Sequence, residues 1–163
     1  MAATVQIVEK NGTAGTNTDK TSGTVRLKNA DNATVDLVNP MTIPATGTDY
    51  SFEKWLRLKV TVAPATNISN IQFYTDGANG LGTGIGLYAK TVTTYATPAE
   101  ATGTAGYTDA FTYVTGSRLN VGTGTYTGTG EKGDHLVMMM TVGTSATPHT
   151  VTAETGTITF DEI

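Results

Sequence analysis

The stretch that decides the fold is "YSFEKWLRLKVTV", Tyr50–Val62. From Leu56 onward its even positions, Leu56, Leu58, Val60 and Val62, are all aliphatic, while Trp55, Arg57, Lys59 and Thr61 hold the odd ones. Successive side chains of a strand point to opposite faces, so this alternation reads as a strand with one apolar and one amphipathic face. The only Trp of the chain therefore shares a face with two cations. Three readings fit that face. A loop covers it, with Trp55 packed beneath and the cationic stems alongside. It is a contact surface, because Trp and Arg are favoured interface anchors. Or it stacks a sugar or another small ligand.

Working outward, the same periodicity recurs and helical periodicity is nearly absent. "TVQIVEK" (4–10) predicts a first strand, and "TVRLKN" (24–29) and "TVDLVN" (34–39) flank "ADNA" at a spacing that suits a hairpin. "ISNIQFYTDG" places Ile71 and Phe73 inward, with Gln72 and Tyr74 outward. "GIGLYAKTVTTY" (84–95), "FTYVTG" (111–116), "SRLNVG" (117–122) and the terminal "GTITFDEI" add further strands. "HLVMMMTVG" (135–143) is apolar on both faces, as expected of a strand buried on two sides. "TPAEAT" (97–102) is the best helical stretch and reads as a turn; the irregular segment 96–110 around it is of a length usually functional or interface-forming.

Composition agrees. About one residue in five of the 163 is Thr and 19 are Gly, residues that favour pleated surfaces and turns respectively. The expected fold is all-β: a single antiparallel β-sandwich over 1–163, of jelly-roll type, with about eight to ten short strands and long Thr/Gly-rich loops. Absence of cysteine excludes disulfides and thiolate metal sites. Net charge of −4 excludes a basic nucleic-acid footprint. No stretch nears the roughly 18–20 apolar residues of a membrane helix, and no basic-then-apolar leader opens the chain. The sequence reads as complete, soluble and made in the cytoplasm.

Catalytic groupings do not stand out, and the chain is expected to be no enzyme. His135 and His149 are the only ordinary neutral-pH bases, and no Ser lies in a G-x-S-x-G elbow. "EKGDH" could offer Glu131, Asp134 and His135 to a cation, but a charged turn between strands reads the same way; Asp76 or Asp109 could serve calcium in a loop. The glycines of "DGANGLGTGIG" fall at 80, 82, 84 and 86, an alternation that misses G-x-G-x-x-G, and β-like sequence follows where a phosphate site needs a helix. Sequons at Asn11, Asn32 and Asn67 are expected by chance in so Thr-rich a chain. No cofactor or metal is expected.

Two segments carry a resemblance. "YSFEKWLRLKVTVAPATNISNIQFYTDG" (50–77) and "HLVMMMTVGTSATPHTVTAETGTITFDEI" (135–163), together about a third of the chain, resemble capsid decoration (auxiliary or cement) proteins of tailed bacteriophages. The resemblance implies a non-enzymatic virion protein bound to the outer capsid surface, made in the bacterial host cytoplasm, with the major capsid protein and itself as partners in a homotrimer. No nucleic acid or membrane partner is implied. The interface candidates are Trp55, Arg57 and Lys59. An adhesin or carbohydrate-binding sandwich on a tail or fibre, using Trp55 and Tyr107, Tyr113 and Tyr126, is the competing expectation, and another head or tail part is a third.

Overall fold

The computed structural model describes the whole chain, Met1–Ile163. Ten strands form: β1 (Thr4–Asn11), β2 (Thr16–Asp19), β3 (Thr48–Tyr50), β4 (Lys54–Val62), β5 (Ile68–Tyr74), β6 (Ile85–Val92), β7 (Thr108–Asp109), β8 (Leu119–Gly122), β9 (Gly130–Gly143) and β10 (Thr157–Glu162). A single 3₁₀ turn, Ala110–Thr112, is the only helical element. Every strand pair is antiparallel. A seven-stranded sheet runs β2-β1-β4-β9-β6-β7, with β3 also paired to β9, and a three-stranded sheet runs β10-β5-β8. The two pack as a sandwich. This order does not single out the jelly roll expected from the sequence.

The alternation in β4 does what its pattern demands. Leu56, Leu58 and Val60 enter the main core with Leu136, Met138, Met140 and Val142 of β9 and Leu87 and Ala89 of β6. Ile68, Ile71, Phe73 and Val121 close the core from the smaller sheet. Ile68 and Ile71 are three apart and both buried, which strict period two forbids; Asn70 between them sits at φ 50°, and the partner registers slip on either side of it. Asn tolerates that left-handed conformation, so a bulge rescues the second isoleucine.

Strand β9 is longer than its apolar run. It begins at Gly130, so "EKGDH" is part of the strand and not a turn before it. Leu56 pairs with Leu136 but Leu58 with Lys132, so β9 spends Gly133–His135 opposite Arg57 alone. Gly133 carries that bulge at φ 71°, where a Cβ would lie 2.7 Å from the Val121 carbonyl oxygen.

The expected hairpin of 24–29 with 34–39 does not form; no strand occurs between Asp19 and Thr48. One backbone bond, Asn29 N–H to Asn39 carbonyl at 2.9 Å, joins the two arms. Lysine ammoniums take the place of a ladder. Lys54 donates to the carbonyls of Asn32 (2.7 Å) and Ala30 (3.3 Å), and Lys20 to those of Ala33 (2.6 Å) and Thr24 (2.9 Å). Glu9 on β1 faces both ammoniums with its single charge, 3.2 Å from Lys54 Nζ and 3.7 Å from Lys20 Nζ, and Lys28 pairs with Asp36 at 2.7 Å. Lys54 and Glu9 are 0% exposed. Burial pulls the Lys54 ammonium below its ordinary pKa, and the Glu9 charge opposes that pull. Segment 20–47 is thus an irregular cover, pinned by buried ions, lying beside the small sheet with Val25, Leu27 and Met41 packed on the core.

Candidate functional site

The amphipathic face of β4 is roofed. Trp55 is 3% exposed and meets the rings of Tyr95 (centroids 5.4 Å) and His135 (5.5 Å) edge-on. Segment 93–107 lies alongside: Glu53 N–H donates to the Ala99 carbonyl (2.9 Å), and Ala101 N–H to that of Ser51 (3.1 Å). Glu53 gathers the strap. Its carboxylate accepts from Trp55 Nε1 (3.0 Å), Lys90 Nζ (3.0 Å) and the Tyr107 hydroxyl. Burial and that carboxylate push the Tyr107 phenol far up, and Lys90 lies 4.0 Å over its ring. For Trp55 the first of the three readings, packing beneath a covering segment, is the observed one.

Arg57 turns to the bulge, with Nη2 donating to the Gly133 carbonyl (2.6 Å) and Nη1 3.3 Å from Glu131. Burial pushes Glu131 up, but hydrogen bonds from Lys10 (2.7 Å) and Asn17 (2.8 Å) and the charges of Lys10 and Arg57 hold it below the usual carboxylate range. Burial, then the Arg57 charge, depresses His135; its Nδ1 lies 3.2 Å from the Val92 carbonyl and its Nε2 has no partner. Lys59 makes no ion pair within this group, although in the ladders it lies opposite Glu131 on β9 and Gln6 on β1. The structure therefore brings Trp55 and Arg57 together and closes Trp55 off, so an interface on the expected trio would rest on Arg57 and Lys59. Glu131, Asp134 and His135 do not converge, and no group of three or more His, Asp or Glu side chains does. Asp109 caps the 3₁₀ turn at Phe111 N–H (3.0 Å), and Asp76 accepts from Ala78 N–H (2.9 Å).

The alternating glycines form a docking track. The flap 144–156, between β9 and β10, lies against the 79–86 loop. A Cβ at Gly82 would meet the His149 ring at 3.0 Å, and one at Gly84 would meet Ala146 N at 2.6 Å; both glycines have positive φ, 109° and 73°. His149 bonds within the flap through Nδ1, 2.7 Å from the Thr147 carbonyl, and across the joint through Nε2, 3.0 Å from that of Leu81. These two bonds raise its pKa, since only the imidazolium donates through both nitrogens.

Between flap and cover lies a cleft of about 630 Å³. Core side chains, among them Phe73, Met138 and Met140, form its floor, and Leu27, Met41 and Val151 its walls. Closed and empty, an apolar void of that size would cost on the order of 10 kcal/mol, comparable to the stability of a whole domain; the cleft is open at one side. A second recess, about 440 Å³ and polar, lies between the ends of β3, β6, β7 and β9, with Tyr88, Asp109, Thr48 and Thr141 around a glycine floor. On the surface, segment 20–47 exposes Val35, Leu37, Val38 and Ile43, Leu37 at 76%. None of these three features followed from the sequence; the glycine spacing was the one visible signal, and its partner lies some sixty residues away. Comparison with models of known protein families, with curated proteins and with solved structures found no match for this chain.

Proposed function

We propose that this chain is a non-enzymatic virion structural protein that binds the outer surface of a phage capsid and stabilises the shell. The observation that carries the reading is the exposed apolar run Val35, Leu37, Val38 and Ile43, set on a segment whose carbonyls the buried Lys54 and Lys20 hold beside Glu9. Contiguous apolar surface mounted on a rigid support is what a protein acting by contact needs, because little ordering entropy opposes docking. The resemblance of 50–77 and 135–163 to capsid decoration proteins supplies the kind of partner. Binding only the expanded shell would stabilise it by mass action, and a homotrimer would multiply three weak footprints. The test adds purified protein to expanded, undecorated phage heads and counts bound copies by cryo-EM. Ordered density at capsomer junctions, lost in a Leu37→Asp, Val38→Asp variant, is expected; no ordered density at any junction sinks the reading.

The polar recess favours a second reading, a carbohydrate-binding sandwich on a tail or fibre. Tyr88 offers a ring beside Asp109 and threonine hydroxyls. Micromolar binding on a glycan array, abolished by Tyr88→Ala, would establish it in place of the first.

A further inference from the structure

We propose that the cleft between the pinned cover and the flap binds a soluble single-chain amphiphile with an anionic head group. Its floor is apolar and includes Met138 and Met140, whose flexible side chains adapt to an irregular chain. Its volume, about 630 Å³, lies within the range of small-molecule sites. The rim supplies the charge. Lys20 and Lys28, on the cover, are engaged by Glu9 and Asp36, whereas Arg26 between them makes no hydrogen bond, ion pair or ring contact. Glu154, the acid of the opposite wall, lies over Gly80. A guanidinium lining an apolar slot, with no direct partner and only a longer-range pull from the lysine-paired Asp36, matches a carboxylate or sulfate on an alkyl chain, since the planar fork binds such heads in two-pronged fashion. The flap forms the other wall and is held by the glycine track and His149, so admitting a chain means moving the flap and leaving the cover in place.

This site goes beyond capsid binding, although Leu37 and Val38 border both surfaces, so the test uses the purified chain alone and leaves those two residues unchanged. Octanoate, decanoate and dodecanoate are titrated by calorimetry below their micelle concentrations, with dodecyltrimethylammonium as the cationic counterpart. Saturable binding is expected, tightening by about fourfold per methylene buried until the cleft is full and then levelling. Dodecanoate should bind about tenfold tighter than the cation, one desolvated ion pair's worth, and Arg26→Gln should erase that preference. Val151→Trp, which fills the slot from the flap, should weaken every chain length while leaving the far-ultraviolet spectrum unchanged. Equal affinity for both head groups, or binding indifferent to both variants, overturns the proposal. So does Arg26-dependent adsorption to anionic phospholipid vesicles without dodecanoate binding, which would put the ligand in a membrane surface.

Discussion

Two strand-free segments close the same core, and they are held by opposite means. The cover, 20–47, is fastened from inside: Lys54 and Lys20 reach its carbonyls with the Glu9 carboxylate between them, all three away from water. The flap, 144–156, packs Ala146 and Val151 on the core, but its polar fastenings lie at the surface: steric fit to glycines and a solvent-exposed histidine. Buried ions cannot let go without stranding a charge in low dielectric, whereas an exposed imidazole exchanges its bonds for water at little cost. Irregular backbone is thus no measure of how a segment is held here: the cover's polar anchors are buried and the flap's are exposed.

The comparison breaks most severely at Lys54. Lys54→Met leaves Glu9 buried without its nearest cation and should cost about 3–5 kcal/mol in guanidinium unfolding. Adding Glu9→Gln should recover much of it, because the stranded charge and not the lost contact dominates. On the flap the effect is smaller and local. Gly84→Ala places a Cβ against Ala146 N at positive φ and should cost about 1–3 kcal/mol, with protease cleavage appearing within 144–156 while the cover stays resistant. The smallest effect is a pH dependence. His149 has its folded pKa raised above 6.5, so its contribution is complete below that value and is lost as pH rises through the folded pKa. Amide protection in 144–156, corrected for intrinsic exchange, should fall as pH rises above 6.5 and through the raised folded pKa, with none of this loss in 20–47. His135 works in the other sense: its depressed pKa keeps it neutral, and its contribution is lost on acidification.

Much of the sandwich was legible, because period-two alternation in β4, β5 and β6 reports burial directly. Where the reading failed, the deciding partner was distant in sequence. "TVRLKN" and "TVDLVN" satisfy every local rule for a hairpin, yet Lys54 arrives from β4 to draw the carbonyls of Ala30 and Asn32, in the turn between them, inward to a buried ammonium. "EKGDH" reads as a charged turn because nothing local shows that Arg57 would sit opposite a bulge at Gly133. The glycines at 80–86 were visible as a rhythm without a cause until the flap was laid along them. Trp55 was placed on the right face of its strand; its burial depended on Tyr95 and the strap, from a segment with no periodicity at all.

The position of β9 bears on how the molecule comes to exist. It lies between β4 and β6 and pairs β3 as well, so the large sheet has no middle until residues 130–143 arrive. Pairings this remote in sequence make for slow, concerted folding. During synthesis β4 and β6 must wait with open edges, each a template for the wrong strand. The apolar run "HLVMMMTV" then acts as a keystone: a nascent chain that stalls before it has no sheet to join, and one that releases it late exposes the stickiest segment of the sequence to its neighbours.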